Sequence, residues 1–250
     1  THQTADGSQA GTWRFAENQY DTIGKSNTNI IVENYNGWIS LFGWGTSGYN
    51  DKSPMMYVYD NAQYGDGTSD IAGTNYDWGV YNAISNGGNK PGLWRTPTRE
   101  EYSYMLKNRA NAEKLWSRGE VNGIDGFIFL PDDWTLPAGI TFTPKARYDD
   151  NKYTIEQWTQ LENNGAIFIP KEGRQNYSTS NLRMEYTTGS HYVATGSCKS
   201  TSQRYVLSGS QTDPTGTSCS TFRYMGVPVR LVRTVEEYTA VWKDWDGTTL

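Results

Sequence analysis

Few side chains in this sequence of 250 residues are spaced to do chemistry. The histidines are His2 and His191, and the cysteines are Cys198 and Cys219. A Ser-His-Asp hydrolase needs an imidazole set to take a proton from the serine. His2 lies in a polar opening stretch, which leaves His191, and no G-x-S-x-G elbow accompanies it. Asp132-Asp133, Asp149-Asp150 and Glu236-Glu237 are adjacent carboxylates. Neighbours on an extended chain point to opposite faces, so none of these is a natural acid/base pair, and solvated turns explain them more simply. The loop "DNAQYGDGTSD" offers Asp60, Asp66 and Asp70, with Asp77 close behind. Hard oxygens on a flexible loop suit calcium, so a structural calcium is the one cofactor these residues suggest. The spacing is not that of an EF-hand, and turns favour Asp for their own reasons. Cys198 and Cys219 share one polar region, and spacing alone leaves both a disulfide and two free thiols open.

Binding is better provided for than catalysis. Between residues 174 and 233 tyrosines recur among Ser, Thr, Gly, Asn and Arg. Rigid rings for contact area and small polar groups for fit are the composition of adaptable binding surfaces. The candidate ligand-binding residues are Tyr177, Tyr186, His191, Tyr192, Arg204, Tyr205, Arg223 and Tyr224. The competing reading for any one of these rings is a place in the core or across a strand pair.

The composition fits one large globular domain. Hydrophobic content is only 36%, but the chain holds 10 Trp and 18 Tyr, so its core must be built from large rings. The net charge is −5 and the Lys and Arg are scattered, which argues against nucleic acid as a partner. No apolar run approaches the roughly 18 residues needed to span a bilayer, so direct membrane insertion is not expected. The opening "THQTADGSQAG" lacks the charged-then-apolar pattern of a signal peptide.

Local signals predict the elements that would carry such a surface. Residues 1–11 read as frayed, and "TWRFAENQYDTIG" as an early strand. Trp78, Tyr81 and Ile84 recur at helical spacing before Gly87-Gly88. In "LWRTPTREEYSYMLKNR", Thr98 and Glu101 form a capping box, Pro97 keeps the entry extended, and Tyr102, Met105 and Leu106 share a face. A helix over 98–109 follows, with Arg109 at its dipole-favoured end. Thr154 to Gln157 is a second capping box, with Trp158 and Leu161 on the apolar face and Gly165 as the stop. "FIFLP" and "AIFIP" read as neighbouring core strands of undetermined direction. "HYVAT", "RYVLSG" and "FRYMGVPVRLVR" read as further strands, the last with Pro228 at an edge or bulge. "EEYTAVWKDWDGTTL" begins a hairpin without its second strand, which predicts that the natural protein continues.

The capped string at 93–109 and the closing "GVPVRLVR" resemble the formylglycine-generating-enzyme-like branch of the C-type lectin-like fold. "WRFAENQYD", "GWISLFGWGTSGYN", "IAGTNYDWGVYNAISNGG" and "FLPDDW" are similar to secreted or surface proteins of Bacteroidales that carry it. The resemblance spans about residues 12–233, and 234–250 resembles a linker and the first strand of a β-rich adhesin repeat. It implies an α+β, C-type lectin-like mixed sheet with short helices and long loops. It also implies that the capped helix is scaffold, that Arg95 pairs with a carbonyl or carboxylate, and that residues 177–224 form the ligand-facing side. The generating enzymes use a closely spaced Cys pair that this chain lacks, and two histidines are too few for the iron centres of other relatives. The Glu-Pro-Asn and Gln-Pro-Asp tripeptides of sugar-binding lectins are absent, and "HYVATGS" stands where many look-alikes carry "YWSS". The expected function is therefore non-catalytic recognition or adhesion, extracellular or at a cell surface, with a glycan or protein partner. The alternatives are a divergent enzyme or carbohydrate-active protein, and a structural spacer.

Overall fold

The computed structural model describes residues 2–3, 11–22, 37–51, 54, 71–172, 174–178, 183–187, 191–196, 203–208, 219–222 and 226–233. In chain order they form β1 (His2–Gln3), β2 (Trp38–Ile39), α1 (Trp78–Tyr81), β3 (Trp94–Arg95), α2 (Arg99–Ser103), β4 (Trp116–Val121), β5 (Ile124–Phe129), β6 (Lys152–Tyr153), α3 (Ile155–Asn163), β7 (Ile167–Pro170), β8 (Arg174–Ser178), β9 (Arg183–Thr187), β10 (His191–Gly196), β11 (Gln203–Ser208), β12 (Cys219–Phe222) and β13 (Val232–Arg233). Helices stand beside mainly antiparallel strands, an α+β arrangement.

The central sheet runs β6-β4-β5-β7. Asn122 and Gly123, both at positive φ, make the two-residue turn that joins β4 to β5 and fixes their register. β5 then pairs antiparallel with β7, which settles the direction of "FIFLP" against "AIFIP". Both runs are apolar throughout because both sheet faces are covered. Phe127, Phe129 and Ile169 pack with Tyr102 and Leu106 on one side. Ile128 and Phe168 pack with Trp158 and Leu161 of α3 on the other. A third cluster gathers Trp13, Phe42, Trp44, Trp78 and Ile84 from the N-terminal third of the chain.

The caps expected from sequence are formed. Thr98 accepts from Glu101 N at 3.2 Å while the Glu101 carboxylate takes Thr98 N at 2.7 Å. Thr154 and Gln157 do the same for α3. That helix closes with Gly165 at φ +88°, Gly165 N donating to Glu162 O and Ala166 N to Leu161 O.

Several expectations change. The helix at 98–109 is α-helical only to Ser103; Tyr104–Asn108 is a π-helical turn, closed by Arg109 N on Tyr104 O at 3.1 Å. Arg109 does stand at the end of that helix, as expected, but inside the protein. It is 8% exposed and its guanidinium donates to the carbonyls of Met105, Leu130 and Leu115 and to Asp132. The helix at 78–84 is one turn, because the Asn82 side chain donates to Trp78 O and Ser47 O and the backbone turns extended there. Ile84 reaches its core position instead through a bridge to Trp13, the one bridged residue of the early strand expected at 12–24 among the described residues. "FRYMGVPVRLVR" is not one strand: β12 ends at Phe222, Val227 bridges Phe42, and β13 pairs with β3. Pro228, with no N–H to give a ladder, sits in the interruption. His2–Gln3, within the stretch expected to fray, pair with β2.

Gly119 and Gly126 face each other across β4 and β5. A Cβ on Gly126 would press into the Phe168 ring and Ile169 O, and one on Gly119 into Ile128 and Asn151 O. Gly126→Ala is therefore expected to destabilise the domain by about 1–3 kcal/mol, the usual cost of overpacking, read from urea unfolding.

Candidate functional site

A cavity of about 410 Å³ opens where the helix-packed face of the sheet meets the N-terminal aromatic cluster. Its walls come from five parts of the chain: 15–21, Ser40 and Phe42, the 94–105 segment, the β5/β7 edge with Glu172, and 228–232. Most of the surface is apolar, from rings such as Phe15, Trp94 and Phe129 and side chains such as Ile169 and Val229. The capped helix is thus both scaffold and wall, since Tyr102 and Met105 face the space.

Polar anchors, buried and half-buried, hold the walls. Asp77, fully buried, caps α1 through Gly79 N and accepts from Thr96 N at 2.7 Å, Thr96 Oγ1 at 3.1 Å and Gly73 N at 3.3 Å. It thereby fixes the Thr96-Pro97 corner. Arg95 forks onto the Glu101 carboxylate, one bond at 2.7 Å, and also donates to Thr96 O. That pairing with a carboxylate and a carbonyl holds the Glu101 carboxyl below the usual carboxylate range. Gln19 Oε1 accepts from Phe168 N and from Arg230 Nη2, each at 2.7 Å, while its Nε2 donates to Glu162 Oε1 at 2.7 Å and Ala166 O at 3.3 Å. Ser40 donates to Glu172, and both are buried.

Two cationic or acidic groups at this locus are shifted by burial. Asp77 is pushed up to about 6, desolvation outweighing its donors. The Arg230 guanidinium is pulled below its ordinary value, burial again being the chief cause, with the Tyr102 and Glu162 charges opposing.

None of the candidate residues from sequence is among the described lining of the cavity. Tyr177 is in β8 and Tyr186 in β9, and the register sets 177 opposite 184 and 186 opposite 175. By strand alternation positions 175, 177, 184 and 186 share one face of that hairpin. His191 and Tyr192 open β10, and Arg204 and Tyr205 are in β11, the middle strand of the β10-β11-β12 sheet. Tyr205 stands opposite Gly196 on one side and Cys219 on the other, and Arg204 opposite Thr221. Arg223, Tyr224 and Cys198 lie outside the described residues, as do Asp60, Asp66 and Asp70 of the calcium reading. Asp77, read as their neighbour, spends its carboxylate on protein donors. Among the described residues no group of three His, Cys, Asp or Glu side chains comes together as metal ligands, and no helix is long and apolar enough to cross a membrane.

The cavity was not foreseen. Arg230 carried the only local signal, as the charged position between Val229 and Leu231; Gln19, Ser40 and Glu172 carried none. No family model, curated protein or solved structure matches the chain.

Asp77 makes stability depend on pH with a definite sign. Its folded value of about 6 lies above the unstructured value of 3.8, so between them the folded chain keeps a proton that the unfolded chain releases. The associated stability is complete below pH 3.8 and is lost as pH rises through 6, on the order of 3 kcal/mol. Urea unfolding from pH 4 to 7 should show this fall in the wild type relative to Asp77→Asn. Equal slopes for the two proteins would contradict it.

Proposed function

We propose that this domain is a non-catalytic recognition or adhesion module with a C-type lectin-like fold, secreted or displayed on a bacterial surface. Its ligand is a glycan or a protein, engaged by ring contacts and hydrogen bonds from the tyrosine-bearing strands of the C-terminal half. The observation that carries the reading is the β8–β9 register, which brings positions 177 and 186 to one face as diagonal neighbours. Such pairs stand about 7–8 Å apart, within reach of aromatic side chains. A further support is the tying down of the capped segment at 93–109 through Arg95, Glu101 and Arg109, which leaves that segment suited to holding a surface rather than to moving at one.

A glycan array and a panel of host surface proteins would identify the ligand. The double variant Tyr177→Ala/Tyr186→Ala should then lose at least about tenfold in affinity, as expected for paired aromatic contacts at a binding hot spot, with its melting temperature nearly unchanged. Undiminished binding by that variant would overturn the assignment of the surface. A fast-reacting, low-pKa thiol at Cys198 or Cys219 would overturn the non-catalytic reading in favour of the enzyme.

A further inference from the structure

The described lining of the cavity includes none of the candidate tyrosines and has its own recognition chemistry. Its volume of about 410 Å³ is that of a small-molecule site. Phe15, Trp94, Tyr102, Met105, Phe129 and Ile169 give it a mainly apolar lining. Arg230 is the cation in that lining, and among the described residues it forms no ion pair. Its one hydrogen-bond acceptor is the neutral Gln19 Oε1. Arg230 is half-buried, and its guanidinium carries five N–H donors in a planar fork that matches a carboxylate.

The acids of the wall limit how much negative charge can enter. Glu172 takes the Ser40 hydroxyl, Asp21 closes a turn on Asn18, and Glu17 sits exposed on the lining. A lining with one guanidinium and three carboxylates suits a ligand with no more than a single negative charge and opposes a dianion. The wall opposite Arg230 in sequence is built to adapt: Met105 lies in the π-helical turn Tyr104–Asn108, a geometry that recurs at functional sites, and its thioether chain fits irregular shapes.

We propose that this cavity is a small-molecule site for an apolar monocarboxylic acid, its carboxylate on Arg230 and its hydrocarbon against the aromatic and aliphatic wall. The proposal goes beyond recognition by the tyrosine face and does not depend on it.

The test is calorimetric titration of the full chain with decanoate below its micellar range, beside 1-decanol and decyl phosphate. Decanoate should bind best. Arg230→Gln should weaken decanoate by about 10- to 100-fold, the range for a charge-assisted hydrogen bond, and change decanol by no more than about threefold. Met105→Trp should fill the space and abolish binding of both. Thermal melting checks each variant; if Met105→Trp does not fold, Ile167→Trp at the cavity's more exposed wall takes its place. The proposal fails if decanoate does not bind, if decanol or decyl phosphate binds as tightly, or if Arg230→Gln leaves decanoate binding unchanged. Loss of glycan or protein binding in the Tyr177→Ala/Tyr186→Ala variant, with decanoate binding retained, would keep the two sites distinct.

Discussion

One primary amide joins parts of the chain that are far apart in sequence. Gln19 is bonded to Phe168 in β7, to Glu162 near the end of α3, to Ala166 after it, and to Arg230. Its oxygen meets only donors and its nitrogen only acceptors, so every bond fits a single orientation of the group. The sheet, the helix that covers it and the C-terminal segment are thereby held at fixed distances, and the cavity is the space they leave. A shorter side chain could not reach all four partners, and a charged one would satisfy only half of them.

The same economy runs through the interior. Asn151, 1% exposed, donates to Ser117 Oγ, Arg118 O and Thr143 O and accepts from Thr143 N. Arg109 binds three carbonyls from three segments, and Asp77 holds the corner before the capped helix. A chain with little aliphatic content fills its core with rings, and rings pack without closing the backbone hydrogen bonds of long loops. Buried polar side chains close them instead, which is how a loop-rich domain meets the requirement that buried donors and acceptors be paired.

Local features were legible in the sequence because local chemistry decides them. Both capping boxes, the Gly165 stop and the two proline-ended core strands need only a few neighbouring residues to form. The β4–β5 hairpin is equally legible, since Asn122-Gly123 stands between the apolar positions of "EVNGID". Ile84 fits a helical period, but the Asn82 amide competes for the backbone and ends the helix first. What sequence could not supply was meeting across distance. Gln19 and Arg230 are 211 positions apart; alternation marks Arg230, but nothing local joins it to Gln19. Composition marks the tyrosines, and only register says that positions 177 and 186 share a side.

The bridge between Phe42 and Val227 and the pairing of Trp94 with Arg233 have a bearing on how the chain is made. On a ribosome the N-terminal cluster of tryptophans emerges long before the segment that seals it. Until Val227 and β13 arrive, that cluster must wait with its apolar rings incompletely covered, the state most prone to association with other nascent chains. The central hairpin and α3, whose contacts are near in sequence, are free to settle meanwhile, so the tryptophan cluster emerges before them and is finished after them.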